Sequence, residues 1–327
     1  MSGSYSVSIA GSLTASTLYR YRAAIDVLNP NTNEYEPIYG EEKAFLTTAV
    51  TPYTQHSNWL ELPAVTGNEN YVGSLFSTAL DAVSGNDDDR NYSFNYSYEY
   101  FGSLWVAYPL RYSDINTSKA SSSWNYFPSS YIPYQYQVNV TNNSYGTMYG
   151  NDSYSRGHMI PNADRNNTIA NNQTYYVTNQ TPQIQDKFNA SLWSSLEGQV
   201  RNLLTSSSTV VYVTTGAVYQ TVGGDESITY LNAASSSANP QRLPIPNYYW
   251  KALLKVTMNG SNVESASTIG FWFEHRDYDS KVEHYYDFAT SVDFIEQMTD
   301  FDLFANLPDG IEATAEANTD WSTFQSF

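Results

Sequence analysis

Only one stretch of this 327-residue chain carries a sustained helical repeat. Over residues 187–204, Phe188, Leu192, Leu196, Val200 and Leu203 recur at three- and four-residue spacing, which lines them up along one side of an α-helix. Elsewhere apolar residues come in short runs set off by Asn, Ser and Gly clusters, as half-buried strands joined by turns do. These runs lie at 104–110, 175–178, 210–214, 250–256 and 268–273, with a second short helical segment at 292–298. So little helix among so many strand candidates predicts an α+β fold, a central antiparallel sheet with few helices laid against it. No internal repeat is visible.

The first 50 residues read differently. Alternation runs through Tyr5, Val7 and Ile9, again through Tyr19, Tyr21 and Ala23, and closes over Ala44 to Thr48 behind Tyr39-Gly40, as short antiparallel strands would. The string Leu13-Thr-Ala-Ser-Thr-Leu-Tyr19-Arg-Tyr21-Arg-Ala23 resembles the later strands of a fibronectin type III domain, with Tyr19 at the tyrosine-corner position. The likeness spans about half of that fold and lacks its early strands, and a hairpin extension of the main domain is the other reading. Residues 51–58 read as a linker into the apolar run Trp59-Leu-Glu-Leu-Pro63. Two domains follow: a small all-β segment over 1–50 and a larger one over 51–327.

Composition narrows the chemistry. Cysteine is absent, so disulfides and Cys-ligated zinc are excluded, and any metal sits on oxygen or nitrogen, which favours Mg²⁺ or Mn²⁺. A formal net charge of -18 argues against a protein that grips nucleic acid along its whole surface, because that takes Lys and Arg patches. A local basic cluster with a bound cation still suffices for an enzyme that holds a few phosphates at a time. No apolar run reaches the length of about 20 residues that a membrane span needs. Abundant Tyr, Ser, Asn and Thr beside scarce Lys fit a secreted, cell-surface or periplasmic protein, although no signal peptide opens this sequence.

The chemistry concentrates between 155 and 197. Ser155-Arg-Gly-His158-Met-Ile-Pro161-Asn-Ala-Asp164-Arg165 leads to the strand candidate Tyr175-Tyr-Val-Thr-Asn179, then to Thr181-Pro-Gln183 and the helix with Asn189, Trp193 and Glu197. Phosphodiester hydrolysis needs one group to take a proton from water and another to neutralise charge growing on the phosphoryl and leaving oxygens. Histidine ionises near neutrality and suits the first task; a hard divalent cation suits the second. An Asn carbonyl is a fit neutral ligand for Mg²⁺, which keeps most of its waters. Asn189, Trp193 and Glu197 follow at four-residue steps and leave one side of a helix, where Glu197 can accept hydrogen bonds from metal-bound waters. Arg156 shares the face of His158 on an extended strand and can bind the phosphate beside it. Singly, each has a plain structural reading, since an Asn at a helix start often caps it and a Glu in mid-helix is often solvated. His56, His275 and His284 lack such company and read as packed or surface residues.

Taken in order, Ser155-Arg156-Gly157-His158, Asn179-Gln-Thr-Pro-Gln183, Phe188-Asn189 and Trp193-Ser-Ser-Leu-Glu197 resemble the signature of the DNA/RNA non-specific endonucleases of the ββα-metal (His-Me finger) superfamily. That signature is Asp-Arg-Gly-His, a strand, Asn-x-Ser/Thr-Pro-Gln, and a helix with Asn, Trp and Glu. The likeness extends to Leu104-Trp-Val-Ala-Tyr-Pro-Leu110, Val213-Thr-Thr-Gly216, Leu243-Pro-Ile-Pro-Asn-Tyr-Tyr-Trp-Lys251, Val292-Asp-Phe-Ile-Glu296 and Phe304-Ala-Asn-Leu307, and so covers residues 59–315. The resemblance implies a ββα-metal nuclease domain that cleaves DNA and RNA, single- or double-stranded, to 5′-phosphate and 3′-hydroxyl ends. It implies His158 as general base, Asn189 as the only protein ligand of Mg²⁺ (or Mn²⁺), Glu197 beside the metal's waters and Arg156 on a phosphate. Contacts mainly to phosphate and sugar carry no base information, which fits weak sequence preference. Asn179, Arg165 and Arg111 are further candidates for substrate contact.

Two departures stand out. The family's leading Asp is Ser155 here, which removes a negative charge beside the site. The Arg that family members often carry ahead of an aromatic residue is missing from Ser121-Ser-Ser-Trp124-Asn-Tyr126, with Arg111, Lys119 and Arg165 as candidate replacements. Asn179-Gln-Thr181 and Asn189-Ala-Ser191 have the form of glycosylation sites. A glycan on Asn189 would block the metal, so they read as accidents of an Asn-rich chain of bacterial source. The competing expectation is a non-catalytic surface or carbohydrate-binding protein on a degenerate nuclease scaffold, in keeping with the aromatic abundance, acidic charge and fibronectin-like start.

Overall fold

The computed structural model describes residues 18–40, 43–46, 49–52, 56–67, 69–77, 80, 89–115, 122–138, 145, 154–234 and 240–327. Two compact units divide it, Met1–Val50 and Thr51–Phe327. The small unit holds β1 (Leu18–Tyr21), β2 (Ala24–Leu28), β3 (Tyr35–Tyr39) and β4 (Lys43–Leu46), with β1 antiparallel to β4 and β2 to β3. Asn33 sits at φ 58 between β2 and β3, a left-handed conformation that Asn tolerates in a turn. The alternation through Tyr5, Val7 and Ile9 lies outside the described residues. β5 (Ala49–Pro52) stands at the division.

The strands of the large unit are β6 (Tyr71–Phe76), β7 (Arg90–Ser97), β8 (Gly102–Arg111), β9 (Tyr154–His158), β10 (Gln180–Ile184), β11 (Val210–Val218), β12 (Thr229–Asn232), β13 (Arg242–Ile245), β14 (Tyr248–Asn259), β15 (Asn262–Glu274) and β16 (Ala289–Thr290). Its main sheet runs β16-β15-β14-β11-β8-β7-β6, each neighbouring pair antiparallel. β9 with β10 and β12 with β13 form two smaller antiparallel pairs. The α+β expectation holds, and runs 104–110, 210–214, 250–256 and 268–273 fall within β8, β11, β14 and β15.

Run 175–178 forms no strand. After α1 (Thr168–Gln173), capped by Asn167 on the Ala170 amide, the backbone is used up by tight turns: Thr174 to Asn171, Tyr175 to Asn172, Tyr176 to Gln173 and Asn179 to Tyr176. Tyr175 and Val177 are buried from those turns together with Thr174, Thr178 and Asn179, so a run of buried residues arises without a ladder. The predicted helix over 187–204 also differs. It is a segment of wide π-type turns, Gln185–Trp193, broken at Ser191 (φ -124, ψ -105), and then α2 (Ser194–Asn202). The 292–298 segment is α3 (Val292–Thr299), capped by Ser291 on the Phe294 amide, and α4 (Asp309–Ala315) and α5 (Trp321–Ser326) follow. Among the described residues no helix is long and apolar enough to cross a membrane.

Strand alternation gives the sheet two packed faces. Trp250, Ala252 and Leu254 of β14 join Trp59, Leu62, Trp105, Val292, Ile295, Leu303 and Phe304 in one core. Tyr249 points the other way, against Phe188 and Trp193 of the helical segment that follows β10. That second face positions the nuclease motif.

Candidate active site

β9 and β10 pair in the register His158 to Gln180, Gly157 to Thr181, Arg156 to Pro182 and Ser155 to Gln183, which sets the first two pieces of the motif side by side. The fit is tight at Gly157: a Cβ there would lie 2.1 Å from Gln183 Oε1, so a larger residue would displace that buried side chain. Asn179 fixes the exit from β9. Its Oδ1 accepts from the Ile160 amide at 2.9 Å, and its Nδ2 donates to the carbonyls of Ile160 (3.0 Å) and Thr174 (2.8 Å). The Met159 amide donates to the Asn179 carbonyl at 3.0 Å. His158 therefore stands at a strand end clamped on both sides.

The imidazole lies between two aromatic rings, Trp124 with centroids 4.6 Å away and Tyr175 at 4.9 Å in an edge-on contact. Trp124 arrives from far upstream because Asn125 bridges Tyr176, its amide donating to the Tyr175 carbonyl at 3.0 Å. The His158 residue as a whole is half-buried, yet its Nε2 is shut from water and has no hydrogen-bond partner. Burial, and then the Arg156 charge, push the imidazole down to about 3, so it is neutral across the physiological range. Arg156 lies 5.4 Å from the Trp124 ring centroid and, although burial lowers it to about 10, remains a cation at neutral pH.

Asn189 meets the same strand. Its Nδ2 donates to Ser155 Oγ at 2.6 Å, while the Ser155 hydroxyl donates to the Gln183 carbonyl at 3.2 Å. The amide is thereby oriented with Oδ1, the atom a hard cation prefers, in no hydrogen bond among the described residues. This neutral oxygen donor and the orphaned imidazole nitrogen fit a site for a well-hydrated divalent ion. Trp193 is fully buried on Tyr249 and Phe273, so it packs the helix while Asn189 serves the cleft. Glu197, on α2 beyond the break at Ser191, interacts electrostatically with Lys251 and Arg201. The break changes the angle between 189 and 197 from that of an unbroken α-helix.

Three residues expected to meet substrate are engaged elsewhere. Arg165 is fully buried; its guanidinium donates to Asn91 Oδ1 (2.6 Å) and to the carbonyls of Asn91, Pro109 and Asp164. Arg111 is 5% exposed and donates to Asp114 at 3.1 Å. Asn179, fully buried, spends its amide on the backbone. All three are buried and held by protein partners, an arrangement the sequence did not show, and Lys119 lies outside the described residues. The tail of the motif is structural too: Asp164 accepts from Tyr108 at 2.9 Å and from Arg201 at 2.7 Å, tying the chain after His158 to β8 and α2.

The other histidines are packing residues. His56 stacks on Trp59 at 3.7 Å, and His284 starts a short turn with Asp287. His275 Nε2 accepts from the Ile184 amide at 2.9 Å, with Nδ1 2.8 Å from the Pro246 carbonyl, and so pins the end of β10. Sequence reasoning missed Trp124, Tyr175 and Lys251. The last is 1% exposed, its ammonium 4.7 Å from the Trp193 ring centroid and lowered by burial to about 8. A groove of about 530 Å³ is lined by Asp186, Asp277, Asp279 and Glu283 against Lys187 and Lys281. Four carboxylates against two ammonium groups make it a poor place for phosphate.

The antiparallel β9–β10 pair carries Arg156 and His158, and the helical segment that follows sets Asn189 against Ser155 of the same strand, in the strand–strand–helix order of the nuclease motif. The model of the DNA/RNA non-specific endonuclease family matches residues 73–310, and the chain belongs to that family. A nuclease of Nostoc sp. is 25% identical over 234 residues, 71% of this chain and 77% of that protein. Mitochondrial nuclease 1 of Schizosaccharomyces pombe is 25% identical over 212 residues, 63% of this chain and 62% of that one. A nuclease of Serratia marcescens is 28% identical over 163 residues, 50% and 55% of the two. A chain from the crystal structure of the EndoG/EndoGI complex shares the fold at TM-score 0.54 and 18% identity, covering 67% of this chain and 85% of that chain.

Proposed function

We propose that residues 51–327 form a sugar-non-specific endonuclease domain that hydrolyses DNA and RNA with a divalent cation at Asn189, and that residues 1–50 are a separate fibronectin-like segment. The observation that carries this reading is the His158 nitrogen, neutral and without a partner, on the strand whose Ser155 orients the Asn189 amide. His158 takes the proton of the attacking water; burial holds it neutral without substrate, and the negative charge of a phosphate bound beside it would favour the imidazolium that forms. Arg156, held beside Trp124, keeps a phosphate oxygen next to that base. Glu197 orients water from the helix. Asn189 Oδ1 would hold Mg²⁺, or Mn²⁺ in its place, and the ion would supply positive charge for the phosphoryl and leaving oxygens. Composition supports a working place outside the cytoplasm, as for a secreted bacterial protein.

Digestion of plasmid DNA and of RNA with Mg²⁺, with EDTA and by His158→Ala tests the proposal. Cleavage should vanish in EDTA and fall by about 10²–10⁴-fold in the variant. Cleavage that survives either treatment refutes the mechanism.

A further inference from the structure

On the sheet face opposite the nuclease motif, α3 and α4 bring acidic residues together with nothing positive between them. Oxygen atoms of Asp293, Glu296 and Glu316 all lie within 4.8 Å of one another. The backbone holds them there: the amides of Val292 and Asp293 donate to the Glu316 carbonyl at 3.0 and 3.4 Å, and the Leu303 amide donates to Glu296 Oε1 at 2.7 Å. Glu316 is 4% exposed, and its Oε1 is shut from solvent without a hydrogen bond. Glu312, one turn earlier, has a buried oxygen in the same condition. Asp302 adds a further charge. Among the described residues no Lys, Arg or His forms an ion pair with any of the five.

A buried carboxyl keeps its proton unless a hydrogen-bond donor or a cation meets it, and Glu316 Oε1 has no donor among the described residues. We propose that Asp293, Glu296 and Glu316 form a Ca²⁺ site that fastens α3 to the end of α4, separate from the metal of the nuclease centre. Three protein carboxylates are more than the one or two on which Mg²⁺, which keeps several of its waters, is usually held, and they favour Ca²⁺. Mixed carboxylate oxygens with room for water at the exposed Asp293 rim are the ligand set Ca²⁺ takes. In the absence of an ion, burial and the neighbouring carboxylates push Glu316 up to about 9, and burial pushes Glu296 up to about 7, so ion binding displaces protons.

Equilibrium dialysis of the whole chain with Ca²⁺ at pH 8, after stripping with EDTA, tests the site. The native protein should bind one more Ca²⁺ than Glu316→Gln, and Asn189→Ala should retain that ion. Asp293→Asn, at the exposed rim, should weaken it at least tenfold with an unchanged circular dichroism spectrum. Equal Ca²⁺ binding by native protein and both acidic variants, no Ca²⁺ bound at all, or loss of the ion in Asn189→Ala alone would each overturn the assignment. Glu316→Gln should leave nuclease activity within about twofold, since it touches neither His158 nor Asn189; a proportionate loss of activity and Ca²⁺ would mean that a single metal serves both.

Discussion

A histidine that must accept a proton is most useful when it carries none, and two rings and a neighbouring guanidinium impose that on His158. Trp124→Ala should open the ring to water and raise its basicity towards the ordinary imidazole range. The native pH–rate profile should then show no loss near pH 6.5 from this group, while the variant gains an acid limb there; superimposable profiles would disprove the coupling. Gly157→Ala is expected to lower stability by about 1–3 kcal/mol, read from denaturant unfolding, because the added methyl overlaps Gln183. His158 and Asn189 stood out in the sequence because their chemistry is scarce and the motif is ordered, and Asn189 does meet the strand that carries His158. Trp124 was not, because only the Asn125–Tyr176 bridge brings it to the site. Sequence displays a charge but not its buried partners, so it could not show that Arg165 and Arg111 are held by Asp114, Asn91 and the Pro109 carbonyl.

Elements were read well where one period dominates and poorly where two compete. β8, β11, β14 and β15 alternate between two packed faces, and α3 carries its own Ser291 cap, so each was visible. The turns around Tyr175 mimic a strand because a short run of buried side chains does not require a ladder. The break at Ser191 is invisible in the stripe of Phe188, Leu192 and Leu196, since the apolar spacing survives the change of turn. His275 shows what holds that junction. Its imidazole joins the Ile184 amide to the Pro246 carbonyl, so His275→Ala should cost about 2 kcal/mol of stability from two lost hydrogen bonds and the void left behind. Cleavage should fall with it, since β10 ends and the Asn189 segment starts at that pin; an unfolding midpoint equal to the native one would contradict this.

The molecule as a whole has opposite sensitivities at its two sheet faces. Burial lowers His158 to about 3 and His275 to about 4, so their contribution is present above pH 6.5, the free imidazole value, and is lost as pH falls towards those values. Glu296 and Glu312, raised to about 7, and Glu316, raised to about 9, contribute below the free carboxylate range, and that share is lost as pH rises through 7 to 9. Thermal midpoints in EDTA should therefore decline over the alkaline limb, and Glu316→Gln should flatten that decline. With a net charge of -18, the chain repels its polyanionic substrate everywhere except where a cation sits, so added salt should slow cleavage less than it slows a basic nuclease. Ser155 then takes on a wider meaning. A neutral hydroxyl in place of a carboxylate takes one negative charge from beside the oxygen that, on the proposal above, would hold the ion. Half-maximal cleavage should then need more Mg²⁺ than in Ser155→Asp, and equal Mg²⁺ requirements would show that this position has no part in how the ion is held.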